Sequence, residues 1–289
     1  MKQSLLEQVC IFLLKKGFTI KSLTRTAFDI LARKEEFILL IKVLNDANAV
    51  SETYAKEMDR ISSYIMGSPL VISEKAGDKL QDNIVYSRFG IYTLNLNTFK
   101  NSIDNKLPFV KRDHSGIKAQ VIGDKLKEIR EKEGISLNEI ARKVGVSKRM
   151  IQKYESGESE VSVNKALRIY QVFGHNVFDK INVFEHSHQL IQDIKGDISK
   201  KYSSLGFSAS EAHKAPFDVM AKKEKELILT RVGDKPRPEL DSLSKLVDAD
   251  KLVIFKNKKP KDLPSITKKE FMEFEKAREL IKFLKEFED

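Results

Sequence analysis

Between Gln120 and Phe173 two short helical patterns meet at a single glycine, and such a pair can only be folded as helices crossing at a sharp corner. Ser136 followed by Glu139 is a capping box, in which the hydroxyl takes an orphan N–H and the carboxylate reaches back to the cap. The helix it opens offers Ile140 and Val144 for burial, and Ala141 is small enough for a neighbouring helix to cross closely. Gly145 stands at the turn, where a left-handed backbone is cheap only for glycine. Val146 plugs the corner, and Ser147 caps the next helix. From that helix Ile151 and Tyr154 face inward, while Lys148, Arg149, Gln152 and Lys153 face outward, and Gly157 ends it. A helix precedes this pair, up to Gly134, and a fourth helical segment runs from Ser162 to Phe173.

These residues resemble the helix-turn-helix DNA-binding domain of the Cro/CI (XRE) family over about 55 residues. The resemblance implies that the helix from Ser147 to Glu155 enters a major groove of double-stranded DNA. Lys148, Arg149 and Gln152 would meet base edges, and Lys153 and nearby N–H groups phosphates, with Ser147 at the same surface. It further implies a homodimer on a roughly palindromic operator, with half-sites about 34 Å apart or multiples of that. One position departs from the family: Leu137 follows the second helix's cap where Gln is common, so the phosphate clamp of that position is not carried over.

At 289 residues the chain is long enough for two or three domains, and its formal charge of +10 suits a polyanionic partner. Cys10 is the only cysteine, so an intrachain disulfide is excluded, and its place in an amphipathic helix gives it a packing role. No signal peptide is legible before Lys15 and Lys16, and no run approaches the ~20 apolar residues that span a bilayer. A soluble, cytoplasmic protein with no membrane partner is expected.

The outer thirds of the chain match one another. Gly17-Phe18 is followed ten residues on by Phe28-Asp29, and Gly206-Phe207 is followed at the same spacing by Phe217-Asp218. The match continues without a gap through Leu40/Leu229 and Val43/Val232. Leu70-Val71-Ile72 then corresponds to Leu252-Val253-Ile254, Phe99 to Phe271, and Leu5 and Val9 to Ile194 and Ile198. Within the first copy the patterns predict a helix over 4–16, strands over 18–23, 28–32 and 37–44, a helix from Ser51 to Ile65 and a strand over 70–72. Residues 84–86 and 91–94 give weaker strand signals.

That order of elements resembles the PD-(D/E)xK nuclease-like fold of Holliday-junction resolvases and restriction enzymes. The resemblance implies an Asp opening the second strand and Glu-x-Lys on the third, the carboxylates holding Mg²⁺. Asp29 and Asp218 occupy the first position. The second reads Leu40-Ile41-Lys42 in one copy and Leu229-Thr230-Arg231 in the other, so the second metal carboxylate is missing from both. Glu35, Glu36 and Glu52 are the nearby acids that could migrate into the role.

The expected architecture is therefore α+β and multidomain. A central all-α helix-turn-helix bundle (118–182) stands between two degenerate nuclease-like α/β domains (1–104 and 183–289), with 105–117 as a polar, basic linker. A short helix is expected over 177–181, and one helix after the Thr267/Glu270 capping box carrying Phe271, Phe274, Leu280, Ile281 and Leu284. His186 and His188 could share a metal from a strand but read as linker. The expected function is a sequence-specific DNA-binding transcription regulator with no catalytic residue, cofactor or metal, and no effector is legible. The alternatives are a structure-specific DNA-binding protein without catalysis and a residual Holliday-junction-type nuclease.

Overall fold

A computed structural model describes residues 4–113, 116–186, 189–234, 238–260 and 263–287. The chain divides into two compact units: Met1–Leu44, Asn48–Val71 and Phe184–Asp289 form one, and Asn45–Ala47 with Ile72–Val183 the other.

The first unit opens with α1 (Leu5–Lys15), whose cap Ser4 and Glu7 satisfy each other's backbone N–H groups. Strands β1 (Thr19–Ser22), β2 (Ile30–Lys34) and β3 (Phe37–Leu44) follow as an antiparallel meander, with Ile30 opposite Ile41. Helix α2 (Glu52–Ile65), capped by Ser51, leads to β4 (Ser68–Ser73), giving the order β1-β2-β3-β4.

The second unit holds the two short strands β5 (Lys75–Ala76) and β6 (Asp78–Lys79), then the hairpin β7 (Ile84–Arg88) and β8 (Ile91–Leu94), and α3 (Leu96–Ile103). Next come β9 (Val110–Asp113), β10 (Gly116–Ala119), α4 (Gly123–Lys132), α5 (Leu137–Val144), α6 (Lys148–Glu155), β11 (Val161–Ser162) and α7 (Val163–Phe173). Its strands run in the order β8-β7-β9-β10-β11.

Residues 105–117 are thus not a linker. β9 lies parallel to β7, with Ile84 opposite Val110 and Tyr86 opposite Arg112, and β10 is antiparallel to β9. The basic composition that reads as solvated chain is accommodated because Lys111 and Arg112 lay their cationic ends over the rings of Tyr92 and Tyr86 (5.8 Å each). The compact division also falls after Val71, so 72–104 belong with the helical segment. The helix expected over 177–181 is a single 3-10 turn, His175–Val177; Phe178 is extended, bridges to Val121 and stacks on Phe109 at 4.8 Å, so its burial favours strand-like backbone.

The first unit resumes with α8 (Asp197–Ser204), β12 (Ser208–Glu211), β13 (Val219–Lys223), β14 (Glu226–Val232), α9 (Pro238–Leu246), β15 (Asp250–Phe255) and β16 (Ser265–Thr267). The sheet is β12-β13-β14-β15-β16, antiparallel up to β14 and parallel beyond it, because α9 crosses over between β14 and β15. The last helix is two: α10 (Lys268–Glu273) and α11 (Ala277–Lys285), broken where Phe274 turns extended. The break lets Phe271 from α10 and Leu280 and Leu284 from α11 all enter one core with Tyr202, Phe207 and Leu252.

Helix α2 packs on β3 and on β13, and α9 packs on β14 and β15 and on β1 and β2. Buried Glu57 accepts from the N–H groups of His213 (2.7 Å) and Lys214 (3.2 Å), and Arg60 donates to Asp193 (2.7 Å) and the Glu211 carbonyl (3.0 Å). His186 bonds Asp59 at 2.7 Å, so its part in a His-Ser-His pair is taken by a carboxylate; Ser187 and His188 lie outside the described residues. Among the described residues no helix is long and apolar enough to cross a membrane.

Candidate nucleic-acid interface

The helical part of the second unit is built around Leu126, Ile140, Val144, Ile151, Tyr154, Ile169 and Phe173, all buried. Ser136 accepts from the Glu139 N–H (3.1 Å), but the capping box is half made: the Glu139 carboxylate turns instead to Lys143 at 3.1 Å, one helical turn on. Gly145 ends α5 at φ 73°, the left-handed conformation the corner requires. The last carbonyls of that turn find donors on α7, since Lys165 reaches Gly145 O (2.6 Å) and Arg168 reaches Val144 O (3.3 Å). Nothing in the sequence spacing pointed to this pair of tertiary caps.

Ser147 caps α6 by accepting from the Met150 N–H at 3.2 Å. Ile151 and Tyr154 are buried, and desolvation raises the Tyr154 pKa above its ordinary value. Ser147, Lys148, Arg149 and Gln152 are exposed and Lys153 is half-buried. Spacing of three and four residues places Lys148, Arg149, Gln152 and Lys153 on one side of the helix. Among the described residues none of its three cations is ion-paired. The structure therefore brings all five predicted residues to one surface. Leu137 is half-buried and packs against the core, which accounts for an apolar residue there.

Two features hold α6 to α4. Arg130 donates to both carboxylate oxygens of Glu155, the last residue of α6, and to the Ile135 carbonyl (3.2 Å). That hydrogen bonding raises the Arg130 pKa above its ordinary value. Gly123, first in α4, lies so close to α6 that an added Cβ would come within 2.2 Å of the Glu155 carbonyl oxygen. Neither contact follows a local pattern, so both escape a reading of the sequence.

The nuclease-like residues form a different arrangement. The two oxygens of Asp29 take Lys42 Nζ and the Val43 N–H, each at 2.8 Å. Asp218 takes Arg231 and the Val232 N–H in the same way, each at 2.7 Å. Leu40 and Leu229 are fully buried beside these pairs. Glu35 and Glu36 sit in the turn between β2 and β3, at the far end of the hairpin from Asp29, and Glu52 is ion-paired with Lys56 (2.7 Å). At about 3.3 Å per residue the length of β2 separates the turn acids from Asp29. Among the described residues no group of three His, Cys, Asp or Glu side chains is placed to hold a metal ion.

Comparison with known proteins accords with both halves of this geometry. Residues 2–108 match the PD-(D/E)XK superfamily domain, and residues 126–174 match the helix-turn-helix. No solved structure matches. The chain is 31% identical to the "Putative HTH-type transcriptional regulatory protein MJ1164" of Methanocaldococcus jannaschii, over 96% of this chain and 94% of that one. Proteins of the same description from Archaeoglobus fulgidus and Methanosarcina acetivorans are 29% and 28% identical, covering 99% and 100% of this chain and 98% of each relative. A likeness of this extent, running through both the nuclease-like and the helical segments, places the chain in the family of these archaeal HTH-type transcriptional regulatory proteins.

Proposed function

We propose that this chain regulates transcription in the cytoplasm by binding double-stranded DNA through α6. The observation that carries the reading is the outward face of α6: Lys148, Arg149, Gln152 and Lys153 stand together, its cations without an ion pair among the described residues, on a helix capped at Ser147 and braced at Glu155. Arg149, Lys148 and Gln152 have the donors and reach to read base edges in a major groove, and Lys153 and the amides near Ser147 to hold phosphates. One such helix reads few base pairs, so the acting species is a homodimer on an inverted repeat, its half-sites about 34 Å or a multiple apart.

The flanking regions, up to Val71 and from Phe184, carry two copies of one nuclease-like fold that no longer cleaves. The recurrent Asp29–Lys42 and Asp218–Arg231 pairs support the duplication, and buried Leu40 and Leu229 support the loss of chemistry. An aspartate whose oxygens are both engaged, and which among the described residues belongs to no metal-holding group of side chains, offers Mg²⁺ too few oxygens. Their role is binding or assembly, not hydrolysis.

Selection of bound duplexes from a random pool at physiological salt tests the reading. Recovery of an inverted repeat is expected, with enrichment lost on replacing Arg149 and Gln152 by Ala. Salt-sensitive binding without enrichment would overturn it in favour of recognition of DNA shape.

A further inference from the structure

The two nuclease-like copies differ at one strand edge. Elsewhere in the first unit they answer each other closely. Arg33 donates to the Leu246 carbonyl at the end of α9 (3.1 Å), and its counterpart Lys222 donates to the Tyr64 carbonyl near the end of α2 (3.0 Å). A left-handed residue follows each helix, Met66 at φ 56° and Asp248 at φ 51°. β1 and β12 correspond, and each comes first in its order of strands.

Alternation decides which backbone groups of these strands face outward. The Leu23 N–H bonds the Asp29 carbonyl and the Ala212 N–H the Asp218 carbonyl, each at 2.8 Å. The N–H groups one residue earlier, on Ser22 and Glu211, therefore point away from β2 and β13. At Glu211 that donor is taken by the Asp193 carbonyl (3.0 Å), because extended chain lies parallel to β12 with Asp193 opposite Ser210. Arg60 on α2 holds the Asp193 carboxylate at 2.7 Å, the Ile191 N–H meets Ser63 at 3.4 Å, and Ala209 and Ser210 are fully buried. α1 begins at Leu5, the counterpart of Ile194, so the residues answering to 194–196 are already helix. Thr19 and Ser22 are exposed, and among the described residues no strand lies beyond β1.

The charges at this edge differ as well. Ser242 on α9 stands where α2 has Arg60, and Lys21 on β1 stands where β12 has Ser210. Lys21 shares a face with Thr19 and with Arg33 opposite it, and the bond from Arg33 to Leu246 marks that face as the one α9 covers. The cation has moved from helix to strand, yet it borders the position that Asp193 fills in the other copy. A cavity of about 540 Å³ opens beside Thr19; of the charged residues lining it, Arg33, Lys34 and Lys245 are cationic and Glu35 is acidic. Asp248 and Asp241 pair with Arg33 and Lys245, whereas among the described residues Lys21 and Lys34 are in no ion pair.

We infer that the open edge of β1 binds an extended, acidic segment of a partner protein as an added parallel strand, with a carboxylate opposite Lys21. Strand addition gives the Ser22 N–H an acceptor, and side chains on alternate residues give specificity. Lys21 discourages an apolar strand from pairing there and is matched by a carboxylate. The inference rests on the proposed duplication, which supplies the comparison of the two edges.

The probe is a labelled peptide in which aspartate alternates with valine, offered to the full chain beside the same peptide with lysine for aspartate. The aspartate peptide is expected to bind about tenfold tighter and to slow exchange of the Ser22 amide about tenfold, leaving the Lys21 amide, already bonded to β2, unchanged. Lys21→Glu should reverse the preference between the peptides. Equal binding of the two, binding that leaves Ser22 exchange unchanged, or a preference that survives Lys21→Glu would overturn the inference. Ser22 protection in the free protein that rises with protein concentration would also overturn it, by placing a second copy on the edge. Exchange of the Glu211 amide as fast as in an unstructured peptide would instead sink the likeness of the two copies, so the two failures are separable.

Discussion

Arg130 clasps Glu155 through two parallel hydrogen bonds, Nε to Oε1 at 2.5 Å and Nη2 to Oε2 at 3.1 Å, with both side chains only 9% exposed. The pair joins α4 to the last residue of α6 and so fixes the angle at which the outward face of α6 is presented. Burying an ion pair gains little by itself, but removing one partner strands the other. Glu155→Leu alone should cost about 3–5 kcal/mol, and adding Arg130→Met should recover most of it. Hydrogen exchange of the α4 and α6 amides measures the loss within this unit. A single variant as protected as the wild type would show that the pair does not brace the helix.

Gly123→Ala tests the other half of that junction. Its Cβ would meet backbone, the Glu155 carbonyl oxygen at 2.2 Å and the Tyr154 carbonyl oxygen at 2.8 Å, so no flexible side chain can yield. A cost of about 1–3 kcal/mol or more is expected, with weaker DNA binding because α6 must shift. Gly134→Ala is the informative control. Its Cβ would meet nothing within 4 Å, and only its left-handed φ of 67° is penalised. Denaturation of both variants, followed by hydrogen exchange in α6, should show displacement of the helix for Gly123→Ala alone.

For Asp29 the prediction separates structure from chemistry. Asp29→Asn keeps an acceptor for the Val43 N–H but loses the ion pair with Lys42, whereas Asp29→Ala loses both. The side chains are 21% and 17% exposed, so the ion pair itself is partly screened and the larger loss belongs to the alanine variant, about 1–3 kcal/mol. Urea denaturation checks the order. Cleavage of branched DNA in Mg²⁺ that Asp29→Asn abolishes would show instead that the fold retains a working nuclease centre.

Alkaline pH should act through Tyr64. Burial pushes its phenol up to about 12, from 10 in the unfolded chain. Above pH 10 the unfolded state therefore releases a proton that the folded state keeps. Stability from this group is complete below pH 10 and is lost as pH rises toward 12. Buried Tyr202, also raised by desolvation, adds in the same direction. Phe in place of Tyr64 should flatten the decline of stability between pH 10 and 12. A decline as steep as the wild type's would assign alkaline unfolding to other groups.

The helices around the corner were legible because their signals are local. Ser136, Gly145 and Ser147 act within a few residues of themselves, and three- and four-residue spacing alone decides that Ile151 points in and Arg149 out. The strands of the first unit were legible to within about two residues, since β2 begins at Ile30 and not at Phe28. What escaped depends on partners distant in sequence. The cationic run over 105–117 becomes strand because Tyr86 and Tyr92, some twenty residues earlier, shelter its side chains. Phe178 turns extended because Phe109 and Val121 wait for it. Arg130 gives no hint in sequence that its partner is Glu155, and the half-made box at Glu139 shows a pattern losing to a neighbouring lysine.

The path of the chain through its two units sets an order of assembly. A ribosome releases α4 to α7 while the sheet unit still lacks everything after Val71, so the reading helices can finish folding first. The amides of His213 and Lys214 that satisfy buried Glu57 are made more than 150 residues after it. Until they arrive, Glu57 has only Arg60 of its own helix as a partner, and the sheet unit closes late through contacts of high sequence separation, the slow class of folding event. Synthesis thus passes through an interval in which the helical reader is complete and the sheet unit is still open, and that interval is when the nascent chain is most exposed to misassembly.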